Sequence, residues 1–267
     1  MYMKRWDADQ ESLAETPDLA ALAALLADRT RAAICMALLD GGAWTAGELA
    51  AYAAVAPSTT TEHLNLLVAG GLLAEERRGR RRYVRLAGPE AAETLENLAG
   101  LAPYRRVPVR SLAEANHRRA LHHARTCYDH IAGALGVAIV EAMTERGLLG
   151  RDHGPVLTVD GAGWLTALGI PDAGPSAAHR AHVRTCLDWT VRRRHLSGAV
   201  GAALYRHALE RGWVVKAVAT RILTVTAAGR TAFRAQLGLP DEALFPSLTF
   251  APPPPGGPGT LSPRRPG

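Results

Sequence analysis

From residue 18 to residue 40 the apolar positions fall at 22, 25, 26, 34, 38 and 39. That spacing keeps them on one side of a helix, which Gly41-Gly42 would stop. Thr45, with Glu48 three residues on, has the form of a capping box and predicts a short second helix to Ala54. Ala56-Pro57 makes a turn, and proline is well placed at a first helical position, so residues 57–68 predict a third helix ended by Gly70-Gly71. In that helix Thr60, Leu64 and Leu67 share one face, while Ser58, Thr61, Glu62 and Asn65 share the other. Residues 72–76 and 81–86 then read as two strands about a turn at Gly79, and residues 89–101 as a further amphipathic helix.

Pro103 and Pro108 mark a boundary. Beyond it, residues 111–146 predict two helices broken near Cys127-Tyr128-Asp129. The second half repeats itself. His130-Ile-Ala-Gly-Ala-Leu-Gly136 aligns with His195-Leu-Ser-Gly-Ala-Val-Gly201, and Leu157-Thr-Val-Asp-Gly-Ala-Gly163 aligns with Leu223-Thr-Val-Thr-Ala-Ala-Gly229. Cys127-Tyr-Asp129 and Cys186-Leu-Asp188 precede the two copies. One supersecondary unit used twice is the physical reading of such a repeat. Each copy reads as helix, glycine turn, short strand, and strand into helix. The paired glycines of each His-x-x-Gly-x-x-Gly share a helix face that could let helices approach closely.

The chain therefore divides into a flexible arm (1–17), a first domain (18–101), a linker (102–116), a C-terminal domain (117–240) with repeats at about 127–170 and 186–239, and a Pro/Gly-rich disordered tail (241–267). The fold class expected is mainly α with small β-hairpins. An N-terminal winged helix-turn-helix would be followed by a tandem of winged-helix-like repeats.

Charge sharpens the first domain. The formal net charge is +6, a balance that suits a polyanionic partner. Arg77, Arg78, Arg80, Arg81, Arg82 and Arg85 crowd one hairpin. Such a cluster repels itself unless it meets phosphates, and it follows directly after a helix whose outer face carries small hydroxyls, an acid and an amide. Together these predict a reader of double-stranded DNA. The DNA-contacting set would be Ser58, Thr59, Thr61, Glu62, Asn65, Arg77, Arg78, Arg80, Arg81 and Arg82.

Residues 18–100 resemble the ArsR family of winged-helix regulators. The likeness is carried by Leu26-Ala-Asp-Arg-Thr-Arg31 with Ile34 and Leu38, Glu48-Leu-Ala50, Ser58-Thr-Thr-Thr-Glu-His-Leu64, Gly70-Gly-Leu72 and the arginine wing ending Tyr83-Val84. The resemblance implies a homodimer that binds an inverted-repeat operator and commonly represses; a cytoplasmic location is expected because Cys35, Cys127 and Cys186 form no disulfide framework. It places Ser58, Thr59, Thr61 and Glu62 at the DNA, gives His63 a supporting role, and makes the first helix and the helix after the wing the dimer contact. Two family metal sites lack their ligands here. The segment Glu48-Leu-Ala-Ala-Tyr-Ala-Ala54 has neither cysteine nor histidine, and residues 89–101 offer Glu90, Glu93 and Glu96 but no histidine.

In the second half, Cys127, Asp129, His130, Cys186, Asp188 and His195 form the most suggestive polar set, a candidate effector site. Packing of the repeats about a pseudo-twofold would bring both Cys-x-Asp motifs together. A regulator responding to a metal or to thiol redox through Cys127 and Cys186 is the alternative, although the chain has no CxxC, HxxxH or HExxH. No metal site or cofactor is assigned. An enzyme is the least supported class, because no phosphate loop or Gly-x-Ser-x-Gly elbow is present. His117, His122 and His123 with Arg118, Arg119 and Arg125 read as a basic helical run. Trp164, Trp189 and Trp213 read as core or as the lining of a pocket for a small molecule. Cys35 reads as core. Neither a signal peptide nor a membrane span is expected.

Overall fold

The computed structural model describes residues 16–105, 108–109, 111–150, 155–170 and 183–246. The expected arm up to residue 15 and the tail from residue 247 lie outside them.

The N-terminal domain begins with two helices, α1 (Leu19–Ala27) and α2 (Arg29–Leu38), where the spacing predicted one. Asp28 makes the break. Its backbone is extended, and its carboxylate caps α2 by accepting from the Thr30 and Arg31 amides at 2.9 Å. Arg31 turns back to donate to the carbonyls of Leu25 and Ala24, which α1 leaves open at its C-terminus. The Leu-Ala-Asp-Arg-Thr-Arg motif is thus a helix junction.

A two-residue strand, β1 (Trp44–Thr45), leads into α3 (Ala46–Ala53) through the expected Thr45/Glu48 capping box. Then come α4 (Pro57–Ala69), β2 (Leu73–Arg78), β3 (Arg81–Leu86) and α5 (Pro89–Leu101). The sheet order is β1-β3-β2, all antiparallel, with Glu76 opposite Tyr83 and Arg78 opposite Arg81. Thr60, Leu64 and Leu67 of α4 are buried, as their spacing required; Leu64 and Leu67 join Ile34, Cys35, Leu38, Leu49, Val84 and Leu95 in one core. These parts make a winged helix-turn-helix.

In the C-terminal half α6 (Leu112–His123) starts inside the expected linker. What read as a helix break at Cys127 is a hairpin of β4 (Arg125–Cys127) and β5 (His130–Ala132), followed by α7 (Gly133–Glu145), a small hairpin of β6 (Leu149–Gly150) and β7 (Val156–Leu157), and α8 (Val159–Ala167). The second copy runs β8 (Arg184–Leu187), β9 (Arg194–Ser197), α9 (Gly198–Glu210), β10 (Val214–Lys216), β11 (Leu223–Val225) and α10 (Ala227–Leu237). Each copy is therefore hairpin, helix, hairpin, helix. One helix stands between its hairpins, where the N-terminal domain has two helices leading to its wing. A last turn, α11 (Asp241–Leu244), buries Ala243 and Leu244, so the expected disordered tail starts with packed chain.

The Leu-Thr-x-x-Gly signature does the same work twice. Thr158 Oγ1 donates to the Gly147 carbonyl at 2.7 Å and accepts from the Gly161 amide at 3.0 Å. Thr226 Oγ1 donates to the Gly212 carbonyl at 2.6 Å and accepts from the Gly229 amide at 3.0 Å. Each glycine then lies against backbone: a Cβ on Gly161 would stand 2.2 Å from the Leu148 carbonyl oxygen, and one on Gly229 would stand 1.9 Å from that of Trp213. Gly229→Ala should therefore cost about 2–3 kcal/mol in urea unfolding. Gly163→Ala, where an added Cβ meets nothing within 4 Å, should instead stabilise by about 0.5–1 kcal/mol. Equal effects would mean that the glycines are not set by backbone approach.

The copies pack reciprocally, α7 on β9 and α9 on β5. A Cβ on Gly136 would lie 3.3 Å from the Cβ of His195, and one on Gly201 would lie 3.3 Å from that of His130. The first glycine-histidine approach mirrors the second, as a two-fold relation between copies requires.

Candidate DNA interface and a buried polar cluster

On α4 the residues facing away from the core are Ser58, Glu62 and Asn65, all exposed, with Thr59 and Thr61 half-buried. Thr61 spends its hydroxyl proton on the Pro57 carbonyl at 2.9 Å. His63 leans back on Asp28, Nδ1 to Oδ1 3.9 Å, and so braces α4 against the α1–α2 junction. In the wing, Arg77, Arg80 and Arg81 are exposed, and their side chains make no hydrogen bond or ion pair among the described residues. Arg78 pairs with Glu76 at 2.7 Å and lies over the Tyr83 ring. Arg82 is used differently: its Nη2 donates to Asn65 Oδ1 at 2.9 Å and pairs with Glu75. It ties the wing to the outer face of α4 and fixes the angle between the two.

Behind this domain the two hairpins of the C-terminal half meet. Cys127 pairs across its hairpin with His130, and Cys186 across its own with His195. Reciprocal packing turns the two pairs toward each other. One donor atom from each of Cys127, His130, Cys186 and His195 lies within 4.8 Å of the other three. His130 Nε2 and His195 Nε2 are 3.2 Å apart. Both rings turn Nδ1 to a carboxylate of their own repeat, His130 to Asp129 at 3.2 Å and His195 to Asp188 at 3.6 Å. Cys127, His130 and His195 are buried, and Cys186 is half-buried. All six sequence-predicted residues are thus in one cluster, four pointing inward and the two aspartates behind the histidines.

Sequence reasoning missed the charges that surround this cluster. Arg125, read as part of a basic helical run, is fully buried in β4. Its guanidinium donates to Asp188 Oδ2 at 3.0 Å, Thr190 Oγ1 at 3.1 Å and the Leu121 carbonyl at 3.2 Å, and it stacks on Trp189. Asp188 also accepts from the amides of Gly133, Thr190 and Val191. Burial alone would raise its carboxyl, but Arg125 and these donors hold it well below the usual carboxylate range. Glu96, buried on α5, accepts a hydrogen bond from Cys127 Sγ at 2.7 Å and pairs with Arg221 at 2.6 Å. Arg221 in turn donates to the Leu39 carbonyl at 2.6 Å, at the end of α2. Two arginines and two carboxylates form a neutral set joining both domains.

The two thiols are unequal. Cys186 beside it, burial and the Glu96 carboxylate push the Cys127 thiol up, while Cys127, His130 and Ser197 hold Cys186 below the usual thiol range against burial. Burial also depresses His195, to about 4. Cys35 sits in the N-terminal core, where burial raises its thiol to about 11. Trp164 and Trp213 pack on the C-terminal core, and Trp189 reaches across to the N-terminal one.

A helix-turn-helix with its polar face open beside an arginine-tipped hairpin defines a winged-helix DNA-binding protein. Residues 26–76 match the model of a helix-turn-helix domain family. Among curated proteins, the uncharacterised HTH-type transcriptional regulator YdfF of Bacillus subtilis (strain 168) is 40% identical over 224 residues, covering 84% of this chain and 98% of that protein. The chain belongs to the HTH-type transcriptional regulators. An alignment of that length extends well beyond the winged helix into the repeats. Similar solved structures include the homodimeric winged helix-turn-helix domain of Mb0332 from Mycobacterium bovis, at 26% identity over 31% of this chain and 83% of that one with a TM-score of 0.28. The cadmium metal-sensor CMTR from Mycobacterium tuberculosis is 35% identical over 35% of this chain and 99% of that one, also with a TM-score of 0.28. No helix among the described residues is long and apolar enough to cross a membrane.

Proposed function

We propose that the protein is a homodimeric, sequence-specific repressor that reads an inverted-repeat operator and takes an effector signal through its C-terminal half. The observation that carries this reading is the hydrogen bond from Arg82 to Asn65. It holds a recognition face of Ser58, Glu62 and Asn65 and a row of uncommitted arginines in one fixed relation, as simultaneous base and phosphate contact requires. Thr59 and Thr61 flank that face. Support for the dimer comes from α1: its sequence Leu-Ala-Ala-Leu-Ala-Ala-Leu-Leu-Ala is wholly apolar, yet none of its residues is buried, and Leu19 is 74% exposed. Leu98 and Leu101 on α5 are exposed as well. A second copy is the partner that both helices fit.

Selection from a random duplex pool tests the reading. A two-fold symmetric motif with half-sites separated by about one helical turn is expected, and Glu62→Ala should blur the preferred bases while leaving binding to unselected DNA unchanged. No enrichment, or an asymmetric motif bound by a monomer, would overturn it.

A further inference from the structure

The buried cluster deepens this reading, and rests on it only for the link to DNA. We propose that Cys127, His130, Cys186 and His195 form a tetrahedral site for a divalent transition metal of the zinc class, whose occupancy reaches the DNA-binding domain through Glu96.

The donor set is the first argument. Two thiolates and two neutral imidazoles suit zinc, and bonds of about 2.0–2.3 Å to a tetrahedral centre place ligand atoms about 3.3–3.8 Å apart. The two imidazole nitrogens are 3.2 Å apart and all four donors lie within 4.8 Å. Orientation is the second. A metal-bound histidine usually gives its other ring N–H to a carboxylate. Here both histidines aim Nε2 at the common centre and Nδ1 at an aspartate, Asp129 or Asp188. His195 Nδ1 is buried and makes no hydrogen bond, and Asp188 Oδ2 lies 3.6 Å from it. Charge is the third. A divalent ion expels the two thiol protons to solvent and balances the two thiolates, so the site needs nothing from the surrounding neutral set of Arg125, Arg221, Asp188 and Glu96. Half-buried Cys186 gives the ion a way in.

The connection to the first domain follows from the thiol of Cys127. Its S–H donates to Glu96. Coordination removes that proton, the hydrogen bond goes with it, and the Glu96 carboxylate keeps only its arginine partners. Glu96 lies midway along α5, the helix that follows the wing and packs on β3. The C-terminal end of α5 is held by Arg192, which donates to the Gly100 carbonyl at 2.7 Å and the Ala102 carbonyl at 2.5 Å. Metal occupancy therefore alters one of the fixings of the helix beneath the wing.

The full chain, purified without a tag, should carry one zinc per chain by elemental analysis. After chelation, cobalt(II) should give the absorption bands of a tetrahedral site with thiolate ligands, saturating at one equivalent. Cys186→Ser and His130→Asn should each abolish stoichiometric metal, whereas Cys35→Ser should keep it. The wild-type cobalt spectrum decides the site even where a variant fails to fold. No tetrahedral bands in the wild type, or a Cys127–Cys186 disulfide in protein kept under nitrogen, would overturn it. For the link, duplex affinity is compared with and without zinc: at least a tenfold change is expected in the wild type and none in Glu96→Gln, which should still bind cobalt. A full response in Glu96→Gln would overturn the role of Glu96. Cobalt bands with no binding to any duplex would leave the site standing and remove the DNA reading.

Discussion

Arg125→Met should lower stability by about 3–5 kcal/mol, because it strips a buried ion network of its central cation. The guanidinium has no exposed surface. It meets Asp188 on one side and Glu96, at 3.7 Å, on the other, with Trp189 against its face. Methionine fills much of the volume but leaves two buried carboxylates, Asp188 and Glu96, with one arginine, Arg221, between the domains. Urea unfolding of the single variant, of Asp188→Asn and of the double variant separates the contributions. The amide that Asp188→Asn introduces carries no charge and still accepts from the Thr190 and Val191 amides. The cost of Arg125→Met should therefore shrink by about 1–3 kcal/mol in that background. A loss below about 1 kcal/mol in the single variant would mean that the network is incidental to the fold.

Arg77, Arg80 and Arg81 changed together to alanine should weaken duplex binding on the order of 100-fold at moderate salt. The salt dependence should flatten by about 0.9 for each phosphate that an arginine no longer neutralises. These three side chains have no hydrogen bond or ion pair among the described residues, so the fold should not notice their removal. Native and shuffled duplexes should suffer alike, since phosphate contacts carry no sequence. Arg82→Ala should behave differently. Arg82 is engaged with Glu75 and Asn65, and its removal frees the recognition face to tilt, so discrimination between duplexes should fall more than the salt slope. Anisotropy titrations of both variants on both duplexes check this. An unchanged slope in the triple variant would remove the wing from the DNA.

Much of the first domain was legible because its signals are local. The Thr45/Glu48 capping box, the 60/64/67 face and the hairpin about Gly79 each follow from residues close in sequence. Asp28 was not legible, since apolar spacing runs on across it and only the carboxylate's bonds to Thr30 and Arg31 reveal a junction. In the second half, β4 and β5 have three residues each, too few to show alternation, so a hairpin read as a break in a helix. The repeat in fact begins earlier than Cys-x-Asp: Arg125-Thr-Cys-Tyr-Asp129 matches Arg184-Thr-Cys-Leu-Asp188. That could have drawn Arg125 into the site. Its mate Arg184 is exposed, so the copies use the same arginine in different ways. Glu96 gave no signal, because an acid on an amphipathic helix reads as solvated until a tertiary partner turns it inward.

Fluorescence anisotropy of the full chain on the DNA upstream of its own gene, with a shuffled duplex of equal composition as control and a salt series for each, decides whether the protein reads a specific DNA sequence. Binding to the native fragment should be tight, at least about 1,000-fold over the shuffled one, with both affinities falling as salt rises. Equal affinity for the two duplexes across the whole salt series would contradict sequence-specific reading.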